Sequence, residues 1–128
     1  MPSFNFQLRF ATEIASGKKG GTIRSTKRCK PGQPMFLFTG LRTKQSNRIG
    51  TKPCVGVVPV TLGLYHIYLD GLQLSKDECI EFAKADGFKD LDVFFDFFED
   101  HYGLPYSGFW HVWDKSLLEK FMSIKAVY

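Results

Sequence analysis

The chain has 128 residues, 44% of them hydrophobic and 16% aromatic, with a net charge of +4; that is enough apolar material for one packed domain spanning residues 1–128 and excludes wholesale disorder. No apolar run approaches the ~20 residues that cross a bilayer, and the start MPSFNFQLRF lacks a signal peptide's apolar segment, so a cytoplasmic, membrane-free monomer is expected. Three cysteines without a C-x-x-C pair and three histidines without ligand spacing argue against a disulfide framework and a metal site, and no cofactor is expected.

In chain order, FNFQLRF alternates, with Phe4, Phe6, Leu8 and Phe10 on one side, which is the period of a half-buried strand. ATEIASG predicts one or two helical turns ended by Gly17. In GKKGGTIR, residues 17–24, two adjacent glycines favour neither helix nor strand. The stretch reads either as a mobile surface loop or as a turn that brings polar side chains to a ligand. Pro31–Gly32 signals a turn before an apolar strand, Met35 to Phe38. LRTKQSNRIGTKP, residues 41–53, reads as a polar loop. Residues 54–74, rich in β-branched and aromatic side chains, predict one long or two shorter strands, with Pro59 at an edge or bulge.

Helical signals begin at Ser75. SKDE is a capping box, and the helix KDECIEFAKA after it puts Cys79, Phe82 and Ala83 on one face, with Gly87 as terminator. LDVFFDFFEDHY predicts a second helix, burying Leu91, Phe94, Phe95 and Phe98 and ended by Gly103 and Pro105. SGFWHVWD predicts a strand, SLLEKFM a short helix and SIKAVY a terminal strand. The fold class expected is α+β: a compact domain or a small barrel, mostly β, with two or three helices late in the chain.

Charge is unevenly distributed along the chain. Residues 1–53 hold eleven lysines and arginines against Glu13 alone, a balance of +10, whereas residues 54–128 hold six lysines and twelve acids, a balance of −6. Such a split fits either mutual attraction of two halves or a basic surface for a polyanion, nucleic acid first among them. Arg42 and Lys44, in the polar loop, are candidate phosphate contacts, and Tyr65, Tyr68, Trp110 and Trp113 are candidates to stack a base.

The ordered set IASGKKGGTIR, KPGQPMFLFTGLRT, CVGVVPV and FAKADGF, spread over residues 4–112, resembles the ASCH family of PUA-like domains. That family typically shows I-x-x-G-x-K-x-x-T-x-R, a P-G turn before a strand, a T-G-x-R-T turn and A-x-x-E-G-F ahead of a helix. The resemblance implies a small PUA-like pseudo-barrel of about five or six strands around a cleft, with two or three helices packed on it and RNA or a modified nucleoside as partner. In one branch it implies hydrolysis of the N4-acetylcytidine amide by a lysine, a threonine and a glutamate. The matching positions are Lys19, Thr22 and Asp86, the last being one methylene shorter than the family's residue.

The physical chemistry of these residues is compatible with that chemistry. Lys19 and Thr22 would face opposite ways on an ideal strand, but Gly20 and Gly21 let the backbone turn them together, while Thr22 and Arg24 share a face. Lys19 becomes a base if burial or Lys18, Arg24 and Arg28 lower its pKa. Asp86 would hold the lysine or pass a proton to the departing amine, and Arg24 or backbone N–H groups would stabilise an oxyanion. Lys18, Arg24, Arg28, Arg42 and Lys44 are the expected substrate or nucleic-acid contacts. Three other functions stay open: a non-enzymatic RNA-binding module, a ribonuclease and a protein-interaction domain. In the plainest reading the lysines are solvated, Thr22 satisfies a turn and Asp86 caps the second helix.

Overall fold

The computed structural model describes the backbone of residues 2–127 and the side chains of residues 2–124. A small sheet forms from β1 (Ser3–Phe6), β3 (Pro34–Thr39) and β4 (Asn47–Pro53), with β1 parallel and β4 antiparallel to the central β3. Phe4 and Phe6 alternate inward as expected, and so do Met35 and Leu37. The alternation stops there: Leu8 is 77% exposed, and Phe10 opens α1 (Phe10–Ala15), because Phe10 and Ile14 lie four apart on one buried helical face.

The polar stretch expected as a loop contains β4. Its residues are exposed or half-exposed, so no apolar period marks it. Its strand character comes from the ladder with β3, which carries a register irregularity at Leu37/Phe38.

A larger antiparallel sheet has the order β2 (Gly21–Arg24), β8 (Tyr106–Val112), β5 (Gly56–Leu62), β6 (Ile67–Leu69), β7 (Leu72–Gln73). Pro59 sits in the middle of β5, where its missing N–H costs nothing, because the β6 ladder begins only at Val60. The described residues therefore form eight strands in two sheets and four helices, an α+β fold. The expectation of one small barrel of five or six strands with two or three helices is corrected accordingly, since the sheets are not closed on each other.

The helices follow their local signals. α2 (Lys76–Ala85) starts in a reciprocal capping box, Glu78 N–H donating to Ser75 Oγ (3.2 Å) and Ser75 N–H to Glu78 Oε1 (2.7 Å). α3 (Leu91–Tyr102) is capped by Asp90, which accepts from Val93 N–H (2.9 Å), so Asp86 is not its cap. The expected short helix and terminal strand are one helix, α4 (Lys115–Val127). No glycine or proline interrupts it, and Phe121 anchors it edge-on against Phe82 and Trp110, at 5.4 and 5.7 Å. Tyr128 lies outside the described residues.

The paired glycines have a packing reason. Gly20 N–H donates to Ala85 O at the end of α2 (2.9 Å), and Gly20 O accepts from Trp113 N–H (3.0 Å) and Asp114 N–H (3.2 Å). A Cβ at Gly20 would lie 2.3 Å from Leu117 Cδ1. At Gly21 it would lie 2.4 Å from Trp110 Nε1 and 2.8 Å from His111 O. Neither obstacle at Gly21 is free to retreat, one being a fully buried indole and the other backbone. Gly21→Ala is expected to destabilise by about 1–3 kcal/mol. Gly50→Ala, where a Cβ would meet nothing within 4 Å, should stay within about 0.5 kcal/mol. Equal urea midpoints for the two variants would refute the close-packing account.

Candidate functional site

Residues 17–20 thread between α1, the end of α2 and the end of β8. Lys19 N–H donates to Glu13 O (3.0 Å), and the lysine stem runs over Gly87, where a Cβ would lie 3.0 Å from Lys19 Cδ. Gly87 holds φ +92°, a conformation that glycine adopts without strain. The ammonium thereby reaches Asp86, the C-cap of α2, and donates to both its backbone carbonyl (2.5 Å) and its Oδ1 (3.0 Å). A cation on the last carbonyls of a helix is favoured by the helix dipole. The faces of Phe10 and Phe6 lie 4.9 and 5.7 Å away and add cation–π attraction.

Lys19 and Asp86 are only 3% and 2% exposed. Burial pulls the lysine pKa down from its ordinary value, against the opposing attraction of Asp86. Burial likewise pushes the Asp86 carboxyl up, against the pull of Lys19. Both shifts favour the uncharged amine and acid, so a proton passes between the two groups more readily than in water.

The pair lines a cavity of about 140 Å³ between β1, β2 and the end of α3. Thr22 and Arg24 of β2 stand on its wall, and Phe6, Phe10, Phe88 and Phe97 surround it. Arg24 Nε donates to Thr22 Oγ1 (3.3 Å) and its Nη2 to Asn5 O (2.9 Å), with the guanidinium 4.9 Å from the Phe6 ring. Four sequence candidates thus meet in one place: Lys19, Thr22, Arg24 and Asp86. Lys19 is not solvated, as the plainest reading has it: the glycine-dependent close packing of this segment buries both Lys19 and Thr22.

The remaining candidates lie elsewhere. Lys18 points into a separate groove of about 780 Å³ between α1, α2 and α4, whose walls also carry Lys84, Lys89 and Lys120. This groove holds neither Lys19 nor Asp86, so its size does not make it the chemical site. Arg28 lies along β1, donating to Ser3 O (3.0 Å). Arg42 and Lys44 belong to the turn between β3 and β4 and line neither cavity. Trp110 and Trp113 are core residues, and Tyr65 is tied to Asp92 by a 2.7 Å hydrogen bond. Besides Phe6, Phe10 and Phe88, the aromatic residues that reach the cavity are Phe97, Phe98, His101 and Tyr102 of α3. Their sequence signal was the 97–98–101–102 spacing at the end of that helix, which leaves Phe97 and His101 on a face beside the core stripe.

His111 pairs across from Thr22 and is fully buried against Phe4, ring centroids 5.4 Å apart. Its Nε2 accepts from Arg28 N–H (3.0 Å), so the ring is neutral and its proton sits on Nδ1, facing Phe109 O (3.1 Å). Burial pulls its pKa down to about 4, aided by Arg24 and Arg28.

No protein-family model matches the chain, and no curated protein or solved structure matches it either.

Two expectations follow from these buried charges. Lys19→Met should cost about 3–5 kcal/mol by leaving Asp86 unpaired, whereas the double change Lys19→Met with Asp86→Leu should cost far less. Additive costs in a denaturation cycle would contradict a coupled pair. Separately, because the His111 pKa is depressed on folding, the unfolded chain takes up a proton first as pH falls. Stability should therefore drop between about pH 6.5 and 4, by about 3 kcal/mol in total. His111→Gln should flatten that stretch of the stability–pH curve, and an unchanged slope in the variant would rule His111 out as its source.

Proposed function

We propose that the chain is an ASCH-type domain that takes a cytosine ring into the small cavity and hydrolyses an N4-acetyl amide there. The observation that carries this reading is the buried Lys19–Asp86 pair beside Thr22, in an aromatic-walled space sized for one ring. Such a pair adds little to stability compared with apolar residues of the same shape. It is suited to moving a proton in a site where water is scarce. The cavity lies between β1 of one sheet, β2 of the other and the end of α3, which supports a ligand cleft between the sheets.

The steps follow from the donors present. The free-amine form of Lys19 takes the Thr22 hydroxyl proton as Oγ attacks the acetyl carbonyl. Arg24, already donating to Thr22 Oγ1, lies beside the developing oxyanion. Collapse breaks the C–N bond, and the Lys19 ammonium, held by Asp86, returns the proton to the departing N4 amine. Water then attacks the Thr22 acetyl ester with Lys19 as base, releasing acetate and restoring the hydroxyl. Aspartate suffices where the family has glutamate, because Asp86 Oδ1 is already 3.0 Å from Lys19 Nζ.

Incubation with N4-acetylcytidine should give cytidine and acetate in equal amounts by chromatography. Thr22→Ala should lower turnover at least a hundredfold while the far-UV spectrum is kept. The free amine is the active form and its pKa is lowered by burial. Hence kcat/KM should rise with pH through an apparent pKa below 10.5, a value belonging to the Lys19–Asp86 pair. Absence of cytidine with the folded wild-type chain would reject the hydrolase reading, and wild-type turnover by Thr22→Ala would reject the nucleophile.

A further inference from the structure

We propose that Tyr102, backed by Tyr106, stacks the base adjacent to the one in the cavity, so that the preferred substrate is a modified cytidine within a single-stranded oligoribonucleotide. The inference rests on the nucleoside reading above and adds the substrate class. It starts from size. A space of about 140 Å³ is well below the ~300–1,000 Å³ of pockets that enclose a whole small-molecule ligand. It takes a ring and leaves the sugar and its phosphates at the mouth.

The mouth is formed by the last turn of α3 and by β1. Tyr102 lines the cavity and is nevertheless 57% exposed. Its ring leans on Tyr106, with centroids 4.9 Å apart and planes 31° from parallel, and on Phe98 at 5.8 Å and 32°. Tyr102 is therefore a supported ring with more than half its surface open, next to the place where a sugar must emerge. A tyrosine loses little rotamer freedom when a base stacks on it, because neighbouring rings already hold it.

Positive charge stands beside the same mouth. Arg24 lines the cavity with Tyr102, and Arg24 and Arg28 run along β1, donating to Asn5 O and Ser3 O. A phosphate joining the two nucleotides would meet them there. A stacked duplex offers no free base face at this point, so the strand must be single.

The test compares free N4-acetylcytidine with a pentaribonucleotide carrying one central N4-acetylcytidine. For the wild-type chain, kcat/KM should favour the pentamer about tenfold, the usual yield of one aromatic–base stack. Tyr102→Ala should bring that ratio close to one, and Tyr102→Trp should keep it. A pentamer with abasic residues flanking the modified cytidine should lose the preference on the unmutated chain, which makes the result independent of how well a variant folds. A wild-type ratio near one, or a preference untouched by both Tyr102→Ala and abasic flanks, would overturn the inference. If neither substrate is deacetylated, the hydrolase reading fails by itself. Fluorescence anisotropy of labelled pentamers with and without flanking bases then still decides the stacking, with equal affinities refuting it.

Discussion

An ammonium and a carboxylate taken out of water must satisfy each other or force the chain apart, and Lys19 and Asp86 satisfy each other across 67 residues of sequence. Much of the local architecture follows from that requirement. The end of α2 offers its carbonyl and its dipole, Gly87 leaves room for the lysine stem, and Phe6 and Phe10 present ring faces to the charge. The glycines after Lys19 let its backbone pass close under Trp110 and Leu117.

The same arrangement explains why the cavity is chemically uneven. Its walls are phenylalanine rings, which lower the local dielectric, while its polar groups converge from β2 and the α2 end. Low dielectric strengthens each interaction, and it loosens the proton on Lys19 while tightening the hold of Asp86 on one. His111, on the strand next to Thr22, is held neutral by a backbone donor, so it packs behind β2 without adding charge.

Elements with strong local signals were legible in the sequence: the Ser75 capping box, the span of α2 and α3, the Phe4–Phe6 alternation and the Gly32 turn. Each is decided within a few residues by capping, period or φ. β4 was not legible, because its side chains bury little and only its partner β3 makes it a strand. The continuation of α4 was missed because Ser123 to Val127 has no strong preference until Phe121 is anchored on Trp110. At the site, the motif order identified the residues that meet, Lys19, Thr22, Arg24 and Asp86, but not their burial. Burial depended on α2, β8 and α4 closing around residues 17–21. The charge count also misled in part: Lys19, counted among eleven N-terminal cations, is spent on an internal partner, and Arg9 lies over Phe10, 4.6 Å from the ring centroid.

The pairing order of the larger sheet bears on how the chain comes off the ribosome. β2, which carries Thr22 and Arg24, has β8 as its ladder partner, and β8 begins more than eighty residues later. The small sheet is assembled from residues 3–53 and depends on no late segment for its ladders. Growing from the N-terminus, the chain exposes a strongly cationic stretch whose second strand has nowhere to dock until Tyr106–Val112 has been made. Closing such a long loop is slow compared with local pairing. A nascent chain halted before β8 would therefore hold its future site residues on an unpaired polycationic segment, and the site would come into being only once Tyr106–Val112 is free to pair with β2.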